Sequence, residues 1–139
     1  MAAGVQREQG AAGVLLIDDR GWILLQLRDA HGAYPYHWAT VGGAIEPGET
    51  AEQAARRELR EETGYVADAL HFGSEVTVPL PGGTSRTAAL FYARYDGAQP
   101  IACHEGLRID FVDPATLPDL LIYPGQRRLI EEALRRSSE

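Results

Sequence analysis

Lysine is absent from this sequence, and all 13 basic residues are arginine. That removes Schiff-base chemistry and any phosphate-binding loop built on a lysine. Cysteine is nearly absent. Cys103 stands alone, which excludes an internal disulfide and a structural zinc cluster and makes a reducing compartment the expectation. No apolar run approaches the length of a bilayer span. The first residues, MAAGVQREQG, have no apolar core of a signal peptide, so a cytoplasmic location is expected. A basic excess is missing too. With 20 acidic side chains against 13 basic ones the net charge is -7, which argues against general binding to a nucleic-acid polymer.

What remains is ordinary for a globular protein. A hydrophobic content of 45% over 139 residues suits one domain with a real core. Residues 1–10 read as a flexible tail and 11–139 as a single domain. Apolar stretches at 11–18 and 22–28 flank Asp18-Asp19-Arg20-Gly21, a hairpin connection. Residues 29–37 read as a loop, followed by short strands at 38–41 and 44–45. Thr50 with Gln53 has the form of a capping box, and helix formers run from Ala51 to Thr63 before Gly64. Strand character is expected over 65–78, again over 86–95, and over 107–112. Pro79 to Gly83 should interrupt the first two. Asp113-Pro114 resembles a helix start, and a final helix is expected over 124–136 with Leu129, Ile130, Ala133 and Leu134 as its apolar stripe. These elements describe a mixed sheet flanked by helices.

The helix at 51–63 carries an oddity. At 100° per residue, Glu62 lies about 40° to one side of Glu58 and Glu61 about 60° to the other. The three share an arc with Ala51, Ala54 and Ala55, the side on which a helix docks. Pairs such as Glu52–Arg56 and Arg57–Glu61 suit a solvated helix laced with ion pairs. Against that, like charges at i,i+3 and i,i+4 destabilise by a few tenths of a kcal/mol each. The other reading is a cation site, and hard carboxylate oxygens suit Mg²⁺ or Mn²⁺.

The flanking residues extend the pattern. Gly43, Glu49, Arg57-Glu58-Leu59, Glu61-Glu62 and Gly64-Tyr65 follow one another with intervals of five, seven, one and one residues. This order resembles the Nudix box, the signature of the Nudix hydrolases, and HWATVGGAIEPGE resembles the approach to it. Two positions depart from the usual pattern, Val41 in place of Pro and Tyr65 in place of an aliphatic residue, and neither removes a metal-binding oxygen. The resemblance implies an α/β/α sandwich with a mixed β-sheet. It implies metal-dependent hydrolysis of a diphosphate bond in a nucleoside diphosphate derivative, such as a nucleoside triphosphate or a nucleotide sugar. By the same resemblance Glu58, Glu61 and Glu62, with the Gly43 carbonyl, would hold Mg²⁺ or Mn²⁺. Glu61 or Glu62 would take a proton from water, and Arg57 would orient Glu49 through a two-pronged ion pair. Gly42 and Gly43 would let backbone approach metal and phosphate. Many relatives form homodimers.

Outside the box, HEGLRIDFVDPATLPDL resembles the region where relatives carry a further Glu, which makes Glu105 a candidate metal ligand or general base. The alternative is an exposed loop Glu, with His104 exposed beside it. QLRD…YPYHW resembles nucleotide-cleaving members. Arg28 reads either as a phosphate contact or as an ion-pair partner of Asp29. Tyr34 and Tyr36 read either as base-stacking faces or as cover for a core edge. Trp38 and Phe111 read as core. Two other functions fit this fold family. One is a catalytically silent nucleotide-binding sensor, which would show a degraded box. The other is prenyl diphosphate isomerisation, for which Cys103 with Glu105 would be the acid-base pair.

Overall fold

The computed structural model of the protein describes residues 10–79 and 81–139. The expected tail therefore lies, apart from Gly10, outside the described residues. Gly10 already belongs to the packed fold, since its carbonyl accepts the Ile45 N–H at 2.8 Å. The strands are β1 (Ala11–Ile17), β2 (Ile23–Leu27), β3 (Trp38–Ala44), β4 (His71–Pro79), β5 (Ser85–Arg94) and β6 (Arg108–Val112). The helices are α1 (Ala51–Thr63) and α2 (Gln126–Ser137), with 3₁₀ turns at Pro81–Gly83 and Pro114–Asp119.

The six strands form one sheet in the order β4-β5-β1-β3-β2-β6. β1 runs parallel to β5, and the other pairings are antiparallel, so the sheet is mixed. Strand alternation sorts the core into two layers. Ala12, Val14, Leu16, Leu24 and Val41 face α1, which docks through Ala54, Ala55 and Leu59. Leu15, Ile17, Ile23, Leu25 and Leu90 face α2, which docks through Leu129, Ile130 and Ala133. β1 sits between the layers and is apolar on both faces. Each fully buried Leu or Ile is worth about 2 kcal/mol, so tertiary burial rather than intrinsic propensity holds these short helices. The α/β/α sandwich is the architecture that the pattern of elements and the box implied.

Four local readings change. Residues 65–70 form no strand, because side chains take the place of a strand partner. Val66 N–H donates to Gln99 Oε1 at 2.8 Å, and Gln99 Nε2 donates back to Val66 O at 2.9 Å. The two short strands at 38–41 and 44–45 are one. β3 pairs with β2 through residues 38–40 and then with β1 through 41–44, which carries it past the glycines. The segment after Asp113 starts as expected, with Asp113 Oδ1 as the cap and Pro114 in the first turn, but it is a 3₁₀ turn interrupted by Pro118. α2 begins at Gln126 rather than Pro124. No helix among the described residues is long and apolar enough to cross a membrane.

Candidate functional site

α1 is held at both ends. Gln53 N–H donates to Thr50 Oγ1 at 3.1 Å and Thr50 N–H to Gln53 Oε1 at 2.9 Å, the two halves of a capping box. Gly64 ends the helix in the left-handed region, its N–H reaching Arg60 O. Between these caps the docked alanines and Leu59 fix the rotation of the helix. Glu62 is drawn into the interface at 3% exposure, while the Glu61 side chain stays 54% exposed. Glu58 lies between them, half-buried against β3.

Arg57 organises the approach to this face. Its Nε and Nη2 donate to the two oxygens of Glu49 at 2.7 and 3.0 Å. Nη1 donates to Glu58 Oε1 at 3.0 Å and Glu61 Oε2 at 3.2 Å, and Nη2 also reaches Ala44 O at 3.0 Å. The five N–H groups of a guanidinium thus all have acceptors. Glu49 in turn accepts Glu46 N–H at 2.9 Å, which closes the turn before α1. The Arg57 hydrogen bond, aided by the Glu46 amide, holds the Glu49 carboxyl down at about 2. The same partners push the Arg57 pKa upward. The expected two-pronged pair is present, and it ties β3, the turn and α1 together.

The inner carboxylates behave oppositely. Burial raises the Glu58 pKa, with Glu61 and Glu105 adding repulsion against the pull of Arg57. Glu62 is pushed up to about 10, first by burial, then by the hydrogen bond and charge of Glu105 and the charge of Glu58; the Gly42 N–H opposes this. Glu62 Oε2 is buried with no hydrogen-bond partner among the described residues. A buried acceptor left open beside two more carboxyls costs on the order of 1–3 kcal/mol.

Glu105 reaches this place through its backbone. The last carbonyls of α1 lack helical partners, and the 102–104 segment supplies them. Ala102 N–H donates to Thr63 O and His104 N–H to Glu62 O, both at 2.9 Å. On the other side Leu107 N–H donates to Leu27 O at 2.9 Å. His104 and Cys103 are exposed, as expected of loop residues, and the Cys103 thiol rests on the Glu105 carbonyl.

Both glycines are required by close contacts within the protein. A Cβ at Gly43 would stand 2.6 Å from the Glu58 carboxyl, so the bare backbone is what admits that carboxylate. A Cβ at Gly42 would instead meet Ala12 O at 2.4 Å and Gly13 Cα at 2.6 Å. Gly42 is required by the close approach of β1, and its N–H points to the Glu62 carboxyl.

Beside Glu105 opens a cleft of about 100 Å³, lined by Gln26, Arg28, Asp29, His31, Glu105 and Gly106. Among the described residues no ion pair joins Arg28 to Asp29. Asp29 caps the turn by accepting His31 N–H, while Arg28 Nε donates to Ala33 O at 3.0 Å. The Arg28 guanidinium also lies 5.0 Å from the centre of the Tyr123 ring. Tyr34 and Tyr36 are 45% and 56% exposed, and both have positive φ. Tyr34 meets His37 and Tyr123 edge-on. Trp38 and Phe111 are half-buried and pack on the α2 and α1 layers, respectively. Tyr123 and Gln26 were not among the sequence candidates. Tyr123 lies in an aperiodic segment with no motif. Gln26 is a polar residue in the apolar run at 22–28, a signal that reads equally as a strand end.

The chemistry of this face fits a hard divalent cation. It offers several anionic oxygens on one rigid helix, one of them buried without a donor. Among the described residues no three side chains already converge as a closed cage. Glu61 and Glu58 lean on Arg57 instead, as like charges do when only one cationic side chain is at hand.

A model of the NUDIX domain matches residues 7–133. The Nudix hydrolase RenU from M. smegmatis superimposes with a TM-score of 0.75 at 28% identity, over 99% of this chain and 95% of that one. The MutT protein from Methanosarcina mazei Go1 gives 0.78 at 18% identity over 96% and 98%, a likeness of fold. The nucleoside triphosphatase NudI of Escherichia coli is 46% identical over 50 residues, 36% of this chain and 36% of NudI. The match with NudI thus spans about a third of that relative's length. The family match runs from before β1 into α2 and takes in Arg57, the α1 carboxylates and Glu105: the chain belongs to the Nudix hydrolase family.

Proposed function

We propose that this protein hydrolyses a diphosphate bond in a nucleoside diphosphate derivative with a divalent cation, Mg²⁺ first and Mn²⁺ as substitute. The observation that carries this is Glu62, whose buried Oε2 has no partner among the described residues and whose carboxyl faces Glu58 and Glu105. A proton can neutralise such a group in isolation, but a cation satisfies all three carboxyls at once. Glu58, Glu61, Glu62 and Glu105, with the Gly43 carbonyl, would hold it. When bound, the cation offsets the charge of the phosphates and lowers the pKa of a coordinated water.

The chain's own groups supply the rest. Arg57 keeps Glu49 ionised and orients Glu58 and Glu61. Glu105, exposed at the cleft, would accept a proton from water. Arg28 is a half-buried cation with no carboxylate partner among the described residues, and it offers its remaining N–H groups to a phosphate. Tyr34 and Tyr36 present exposed rings on which a base can stack.

The test is phosphate release from a panel of nucleoside triphosphates and nucleotide sugars, read by malachite green with a coupling pyrophosphatase or phosphatase. Triphosphates head the panel because NudI is a nucleoside triphosphatase. Turnover that stops in EDTA and returns with Mg²⁺ is expected. No turnover of any member at high enzyme concentration would overturn the proposal.

A further inference from the structure

Gln26 lies on β2, the strand next to the β6 edge of the sheet, between Ala39 of β3 and Ile109 of β6. Its side chain is on the α1 face, as is that of Leu24, and it is only 6% exposed. A buried amide in that position needs a partner. It finds one 79 residues away: Nε2–H donates to the backbone carbonyl of Glu105 at 2.7 Å. The contact is intimate on the next residue as well. Gly106 has φ +80°, and a Cβ there would lie 2.7 Å from Leu27 O and 3.0 Å from Gln26 Cγ and Nε2.

The Glu105 peptide is therefore strung between two anchors. One is the end of α1, through the Ala102 and His104 amides. The other is β2, through Leu107 N–H on Leu27 O and the Gln26 side chain. Every bond in this set except the last is backbone to backbone. Apart from the Cys103 thiol, which rests on the same carbonyl from within the loop, Gln26 is the side chain among the described residues that a substitution can remove from the suspension, and it also lines the cleft beside Arg28.

We propose that Gln26 is a positioning residue, which fixes the Glu105 peptide and so sets the Glu105 carboxyl against Glu62. Its kinetic consequence rests on the pyrophosphohydrolase reading; its structural consequence does not. Gln26→Met keeps the length of the side chain and removes the donor. If it does not fold, Gln26→Asn keeps an amide that falls one methylene short of Glu105.

Two measurements decide it. The first is steady-state kinetics on the wild type, Gln26→Met, Glu105→Gln and the double variant. A loss in kcat of roughly 10- to 100-fold is expected for Gln26→Met, the range for residues that orient a metal-site ligand, with KM changed by less than about 3-fold. In the Glu105→Gln background the same substitution should cost almost nothing, since Gln26 acts through Glu105. A kcat within about 2-fold of wild type, or a loss that recurs in full without Glu105, overturns the proposal. The second is amide hydrogen exchange on the protein without nucleotide. Faster exchange confined to residues 104–107, with β1 and α1 still protected, is expected. Unchanged exchange there overturns the proposal. If the wild type turns over no nucleotide, the functional reading fails, and exchange alone decides whether Gln26 holds the loop.

Discussion

Replacing Glu62 by glutamine should make the metal-free protein more stable near neutral pH, and the size of the gain follows from the site. Glu62 is buried beside Glu58 and Glu105, and its pKa rises from 4.5 to about 10. For an acid shifted upward, the folded state keeps a proton that the unfolded chain gives up. Stability is then complete below the ordinary value of 4.5 and drains away as pH rises toward about 10. Each pH unit inside that window is worth about 1.4 kcal/mol, so going from about pH 5 to pH 8 costs the wild type roughly 4 kcal/mol. Glutamine has the shape of the protonated acid and does not titrate, so the variant escapes this loss. Its amide can also donate to Glu105, where two carboxyls otherwise meet.

A chain of 139 residues unfolds with an entropy that converts 1 kcal/mol to about 3–4 °C, so the two proteins should differ by roughly 10–15 °C near pH 8. Near pH 5 they should melt almost together. Scanning calorimetry in EDTA at the two pH values is the assay. Glu49 does not confuse the comparison: held at about 2, it stays ionised throughout this window. Excess Mg²⁺ should restore the wild type near pH 8 and do little for the variant. The variant's turnover should fall by orders of magnitude, which makes it a case of stability gained at the expense of activity. Parallel melting temperatures from about pH 5 to pH 8 would refute the buried-charge reasoning.

Other outcomes test neighbouring parts of the site. Glu61→Gln should lower kcat by orders of magnitude while the melting temperature stays within about 2 °C, because this exposed side chain gives up only a surface ion pair with Arg57; a near-native rate would remove Glu61 from the metal site. Gly43→Ala drives a methyl into the Glu58 carboxyl and should weaken Mn²⁺ binding, read by titration calorimetry; undiminished affinity would mean that Glu58 is not a ligand. Leu59→Ala, at the fully buried contact of α1 with the sheet, should cost about 3 kcal/mol in a urea melt while leaving the carboxylates in place; a loss below about 1 kcal/mol would show that α1 docks otherwise.

The parts of this protein that could be read from sequence are those governed by short-range periodicity. The Thr50–Gln53 box, the Gly64 cap and the arc shared by Glu58, Glu61 and Glu62 depend only on the geometry of one helix, and they stand as expected. The Arg57–Glu49 pair follows instead from the resemblance to the box, and the two side chains do meet. The misreadings concern backbone groups whose partners lie far along the chain. Strand character at 65–70 gave way to Gln99. No local pattern announces that residues 102–104 will take up the free carbonyls of α1, or that Gln26 will reach Glu105. Yet these long-range bonds bring a fourth carboxyl to three that share a helix, beside Glu62, whose buried Oε2 has no hydrogen-bond partner among the described residues. The box supplies the charges. The loop that closes over the end of α1 makes them an unfavourable cluster for the metal-free chain, and that unfavourable energy is available to drive cation binding.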